Sequence, residues 1–342
     1  MTSRSRRLRS NANLCVYHPA PPLRSSAKKW YAFQVPDVHL GYHVGLPSHD
    51  PMVWNVGMQA LRCLARRLTH VIIYGDFGNW ESLSHWAGLR ADQPFIEEDV
   101  AIACMGIEEI NSIADPRGIK KIFIMGNHEE WSTLLEAKYP ILRNQVNLVH
   151  RLHLHANKGW TVIPHNHFFK LGKSYHTHGD YPGATKDAKS MIREAGASVF
   201  YGHNHQREVL YSRNLKGLHT AQSLGCWAMI DPPPPYARAK PPSEWVHGFG
   251  LLQVRANGLF QCDYRTIIES SYVELPDGTE IVADAKAVRQ RLSAEQDALT
   301  RLRREYAERY YAPDGRVHEL EPLKGTELRS RIQRARVHGQ QG

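Results

Sequence analysis

The chain has 342 residues, 42% of them hydrophobic, and its 8 Trp, 15 Tyr and 9 Phe exclude a wholly disordered polypeptide. That length suits one large domain or two smaller ones, and no run approaches the ~18 consecutive apolar residues of a membrane-spanning helix. The formal net charge of +9 invites a nucleic-acid reading until the charge is located.

The charge lies at the two ends. Residues 1–36 contain no acidic residue and carry Arg4, Arg6, Arg7, Arg9, Arg24, Lys28 and Lys29, a net of +7. Residues 323–342 carry Lys324, Arg329, Arg331, Arg334 and Arg336 against Glu327, a net of +4. Between them 31 basic residues face 33 acidic ones, a net of −2. Such tails read first as solvated arms and second as polyanion-binding arms. The Arg/Ser-rich start also has the composition of a transit peptide, but it lacks the apolar segment of a secretory signal. Five widely spaced cysteines without a C-x-x-C pair argue against a disulfide framework or zinc ribbon, and for a reducing, cytoplasmic compartment.

Trp30–Pro36 reads as a strand entering Asp37-Val38-His39. Residues 52–68 have a helical apolar rhythm. Val71–Tyr74 is an apolar run ending in Gly75-Asp76, as expected of a strand buried on both faces. A second helix covers 97–114, and Ile119–Met125 is another buried strand, ending in Gly126-Asn127-His128. Short strands are predicted at 148–155, 160–163 and 167–170. A helix over 184–195 stops at Gly196. Val199–Tyr201 runs into Gly202-His203-Asn204-His205, and strands follow near 207–212, 217–222, 249–255 and 259–265. Asp231 and the four prolines after it form a loop. Residues 283–309 form one long charged helix with i,i+4 pairs Asp297–Arg301 and Glu305–Arg309. Three segments result: a basic arm 1–29, a globular domain 30–268, and an extension 269–342 with the long helix and a basic tail.

Ligands in open α/β sheets bind at the carboxyl ends of strands. In this chain those ends carry metal-competent residues: Asp37-x-His39, Gly75-Asp76, Gly126-Asn127-His128, His178-Gly179 and His203-x-His205. Singly each is weak, since Asp after Gly is usually a turn and a lone buried His is usually a satisfied core residue. Two further pairs, His153-x-His155 and His165-x-His167, lack the glycine context and read as coincidence in a chain with 20 His. The ordered set, each member after an apolar strand, is a much stronger signal.

On these residues the chain resembles the calcineurin-like metallophosphoesterase family, and with His178-Gly179-Asp180 and Gly248-Phe249 it looks most like the phage or bacterial members. That family's motifs D-x-H, GD-x-x-D/N, GNH-E/D, H-G and GH-x-H match Asp37–His39, Gly75–Asn79, Gly126–Glu129, His178-Gly179 and Gly202–His205. The likeness covers about residues 30–265. It implies a four-layer α/β/β/α sandwich of two mixed sheets with a C-terminal helical extension. It also implies two divalent metals bridged by Asp76, one held by Asp37, His39 and His205 and the other by Asn127, His178 and His203. This donor set of carboxylate, amide and imidazole suits Mn best, with Fe, Zn or Ni as alternatives. The reaction implied is hydrolysis of a phosphate ester by a hydroxide held between the metals. Asp76, Asn127 and His128 would form the catalytic group, with His128 reaching the phosphate or leaving oxygen. His176 is an alternative to His178 as ligand, and Asn79, Glu129 and Trp131 are supporting or substrate-facing candidates.

The sequence departs from the protein phosphatases of that family, which have GD-x-x-D-R. Asn79 and Trp80 stand at the last two positions. A phosphodiester or nucleotide is therefore the favoured substrate. A DNA or RNA nuclease using the basic tails, with Trp80, Trp86 and Trp131 near the site, is the alternative. A metal-binding scaffold without turnover, docking partners through the 283–309 helix, is a third reading. No membrane partner is expected.

Overall fold

The computed structural model describes residues 30–43, 45–84, 95–180, 187–231 and 244–310. The basic arm, Trp86, the four prolines and the basic tail lie outside the described residues.

The first half alternates strands and helices. Strand β1 (Trp30–Val35) is followed by the two-residue strands β2 (Tyr42–His43) and β3 (Leu46–Pro47), helix α1 (Pro51–Leu64) and β4 (His70–Ile73). Then come α2 (Ile96–Ala114), β5 (Lys120–Ile124), α3 (Asn127–Lys138), α4 (Leu148–Arg151) and β6 (Trp160–Ile163). The second half is richer in strands: β7 (Phe169–Leu171), β8 (Ser174–His176), α5 (Ala188–Ala195), β9 (Ser198–Tyr201), β10 (Val209–Asn214) and β11 (Gly217–Ser223). The chain continues through β12 (Gly248–Val254), β13 (Phe260–Thr266), β14 (Tyr272–Glu274), β15 (Glu280–Val282) and α6 (Ala285–Tyr310).

Two mixed sheets result, and the fold is α/β. One runs β13-β12-β1-β4-β5-β6, with β1, β4, β5 and β6 parallel; the other runs β10-β11-β9-β8-β7, with β8, β9 and β11 parallel. The apolar run of β4 is explained by its two buried faces. Val71 and Ile73 pack with α1 and α2, whereas Ile72 and Tyr74 pack with Leu171, Phe200 and Leu224 of the second sheet. Helix α5 covers the outer face of that sheet through Ala188 and Met191.

Local chemistry sets the helix ends. The Asp50 side chain accepts from the backbone N–H groups of Met52 and Val53, and Pro51 opens α1. Asp187 caps α5, which Gly196 ends in a left-handed conformation (φ 57°). The strand predicted over 148–155 is instead the helical turn α4. Asn147 accepts from the His150 N–H at 3.0 Å, a side-chain cap that outweighs the strand-like apolar/polar alternation of Leu152-His153-Leu154-His155. The strand predicted at 167–170 lies at Phe169–Leu171 and turns through Gly172 into β8.

Helix α6 packs on α1 and α2, with Val288 and Leu299 buried. Its ion pairs include Arg291–Glu295 at 2.7 Å and a two-point contact from Arg303 to Glu98 at 2.6 and 3.2 Å. Glu295 is wholly buried and accepts from the Tyr42 hydroxyl at 2.7 Å. No helix among the described residues is long and apolar enough to cross a membrane. The described cysteines, Cys63, Cys104, Cys226 and Cys262, are free thiols.

Candidate metal centre

Because β1, β4 and β5 are parallel neighbours, the turns after them open at one edge of the first sheet. The turns after β8 and β9 meet them there. Backbone bonds stitch the loops together: His39 N–H to Asp76 C=O (2.9 Å), Gly202 N–H to His178 C=O (2.8 Å) and Trp227 N–H to Asp37 C=O (2.6 Å).

Five residues of these loops hold positive φ without being glycine: His39 (57°), Asp76 (43°), Trp80 (49°), His203 (69°) and His205 (59°). Such strain survives only where surrounding contacts over-determine it, and it gathers at functional sites. Two glycines are required for a different reason. A Cβ on Gly75 would strike the Gly126 backbone, and one on Gly126 would strike the Asp76 carboxylate.

All seven sequence-identified ligand candidates come together. Asp76 Oδ2 lies 3.4 Å from His178 Nε2 and 4.0 Å from His39 Nε2. His178 Nε2 and His203 Nδ1 each lie 2.9 Å from Asn127 Oδ1, and 3.2 Å from one another. His39 and His205 approach through their Nε2 atoms at 3.1 Å, and His205 Nε2 lies 3.8 Å from Asp37 Oδ2. Asp37 Oδ2 also accepts from the His203 backbone N–H at 2.6 Å, while its Oδ1 is buried without a hydrogen bond.

The donor atoms suit cations. His178 Nδ1 donates to the Tyr74 carbonyl at 2.6 Å, so a neutral His178 presents a bare Nε2 to Asn127 and Asp76. Spacings of 2.9–3.4 Å between these lone-pair atoms are those of neighbours in a coordination shell with bonds of about 2.1 Å. Without a cation, a proton must hold them together. Burial works against that proton, but the Asp76 and Asp37 carboxylates prevail and push the His178 pKa up to about 10. Burial drives His205 down to about 3 and His39 well below its ordinary value, so both are neutral. Burial also raises Asp37 well above the carboxylate range. Asp76 is pushed up by burial but held well below that range overall by His128 and His178.

His128 stands beside this cluster. Its Nδ1 donates to the Asn79 backbone carbonyl at 2.7 Å, its Nε2 lies 3.9 Å from Asp76 Oδ2, and Trp131 packs on its ring at 4.1 Å between centroids. Asn79 therefore orients His128 through its main-chain carbonyl. Glu129 is a keystone. One carboxylate oxygen accepts from the N–H groups of Asp76 and Gly126, and the other from the Phe77 N–H and the Trp80 indole.

Three sequence readings change. Trp80 is wholly buried, so it is unable to stack on a nucleobase, and Trp86 lies outside the described residues. His176 is no ligand. It stacks on Phe200 between the sheets, where the Tyr74 hydroxyl meets Nδ1 at 2.5 Å and Ser174 Oγ meets Nε2 at 3.0 Å. The third is His165, set aside as a chance pair: its ring stands 6.3 Å from that of His178. Sequence reasoning also gave no site role to Asp180, 3.7 Å from His203 Nε2, or to Trp245, whose ring meets His205 at 4.1 Å. For Asp180 the signal was its place directly after His178-Gly179; Trp245 carried none.

No protein-family model matches the chain, and no curated protein does. One solved structure that matches shares 9% identity, covers 69% of this chain and 99% of its own, and has a TM-score of 0.32. A likeness at that level carries no argument about fold or activity.

Proposed function

We propose that this chain is a dinuclear-metal-dependent phosphoesterase of the calcineurin-like type, acting on phosphodiesters or nucleotides. In this reading the two sheets and their flanking helices are that family's four-layer α/β/β/α sandwich. The observation that carries the proposal is the position of Asp76. Its carboxylate belongs to two separate sets of convergent ligand atoms, one with His39 and His128 and one with His178 and His203. A carboxylate so placed suits a bridge between two cations.

Asp37, His39 and His205 would hold one cation, and Asn127, His178 and His203 the other, with Mn favoured by the mixed donor set. When bound, such cations neutralise charge on phosphoryl oxygens and lower the pKa of water. His128 has its Nδ1 proton committed to Asn79, so only Nε2 can exchange a proton with the leaving oxygen. The buried Trp80, standing where protein phosphatases have Arg, argues against a phosphoprotein substrate.

The test is to strip the protein of metal, add Mn, and measure bound Mn with hydrolysis of bis-p-nitrophenyl phosphate, nucleotides, and single- and double-stranded DNA. Two Mn per chain and Mn-dependent turnover are expected, with Asp76→Asn losing metal and at least about 100-fold in rate. Unchanged turnover in Asp76→Asn would sink the proposal. Metal binding without turnover on any substrate would favour the scaffold reading instead.

A further inference from the structure

We propose that His165 is a substrate-binding residue, whose imidazole hydrogen-bonds the phosphate group on the His178 side of the centre. This rests on the phosphoesterase reading.

The placement follows from topology. Strand β6 lies parallel to β5 at the edge of the first sheet, so the turn after it opens at the same end as Gly126-Asn127-His128. The Met125 N–H donates to the Ile163 carbonyl at 2.9 Å, tying the start of that turn to the end of β5. Two residues later His165 stands with its ring 6.3 Å from His178, and Asn166 bends the chain through φ 60°. Its charged neighbours include the Asp76 and Asp180 carboxylates.

His165 Nε2 is shielded from solvent and has no hydrogen-bond partner among the described residues. Buried polar atoms in folded chains are paired, so an orphan beside a polar cluster calls for a ligand. Among the described residues neither Lys nor Arg forms an ion pair with Asp37 or Asp76, whose partners are His alone. His128 stands beside His39, their rings 4.7 Å apart, whereas His165 stands beside His178. A phosphate spanning both sets would meet one non-ligand imidazole on each flank.

The experiment uses Mn-loaded full-length protein, inorganic phosphate as a calorimetric probe, and bis-p-nitrophenyl phosphate as substrate. His165→Ala is expected to raise the phosphate Kd and the KM by about 10-fold, while Mn content and Tm stay as in the wild type. His165→Gln, which keeps a donor of similar reach, should recover most of that loss. Unchanged Kd and KM in His165→Ala would overturn the inference, and so would loss of Mn, which would make His165 a support for the metal. A wild type that takes up Mn but binds no phosphate and hydrolyses no ester removes the phosphoesterase reading, and this inference with it.

Discussion

Glu129 accepts a hydrogen bond from the backbone N–H of Asp76 at 2.8 Å, and thereby holds the strained turn that carries the shared carboxylate. The same side chain bonds Gly126, Phe77 and Trp80, so each of its oxygens faces two donors. Glu129→Gln therefore sets an NH2 group against two N–H donors whichever way the amide turns. The variant should lose about 1–3 kcal/mol in urea unfolding of the metal-free protein, and 10- to 100-fold or so in Mn affinity. Wild-type values for both would show that the carboxylate does not hold the turn.

His128 touches the centre without belonging to either proposed ligand trio. His128→Ala should keep its Mn and lose roughly 10²- to 10⁴-fold in kcat, as expected for a proton-transfer group. Loss of Mn in parallel with rate would make it a ligand instead. The pair of measurements is therefore metal content and steady-state kinetics on one preparation.

The raised pKa of His178, about 10 against an ordinary 6.5, has a definite sign. Its protonation stabilises the metal-free fold fully below about pH 6.5, and that contribution is lost as pH rises through 10. The metal-free protein should therefore lose up to about 1.4 kcal/mol per pH unit from this group in that window. Bound Mn displaces the proton, so the loaded protein should lack this slope and Mn should bind more tightly as pH rises. Thermal unfolding from pH 6.5 to 9, with EDTA and with Mn, checks this; equal slopes would contradict it.

His176 has the opposite sign. Burial holds it down to about 3, and a neutral ring suits its partners: Tyr74 donates to Nδ1, while Nε2 donates to Ser174. Its contribution is present above about pH 6.5 and is lost as pH falls towards 3, because the unfolded chain takes up a proton that the fold refuses. In His176→Gln the acid limb of stability against pH should be shallower by up to about 1.4 kcal/mol per unit. An unaltered acid limb would refute the assignment.

Helix α6 is anchored by charge as well as by apolar packing. Glu295, wholly buried, meets the Tyr42 hydroxyl and Arg291, and Arg291 also reaches Glu109 on α2 at 2.8 Å. Glu295→Ala should destabilise the protein by about 3–5 kcal/mol, since it strands the partners of a buried charge. A loss below about 1 kcal/mol in urea unfolding would mean that Glu295 does not anchor α6.

Strands β4 and β5 were legible because Val71–Ile73 and Ile122–Ile124 are buried on both faces, which leaves short continuous apolar runs. Helix α3 was not, since only Glu129 and Ser132 are buried on it and no apolar stripe marks its period. The capped turn at Asn147 was misread because one side-chain bond decided it. His165 was set aside for want of a glycine neighbour; nothing local distinguishes it from His153, and only the β5–β6 pairing brings it to the centre.

What could be read along the chain was local: apolar strands, each ending in a short polar turn with a metal-competent side chain. Those features depend on residue chemistry and backbone period over a few positions. The tertiary structure decided which side chains meet. Asp37 and His203 are 166 positions apart, yet one accepts the other's backbone N–H at 2.6 Å. His176 and His178, two positions apart, take opposite fates, one shut between the sheets and one at the centre. Such choices follow from strand register and sheet packing, which sum many weak contacts that no short segment contains.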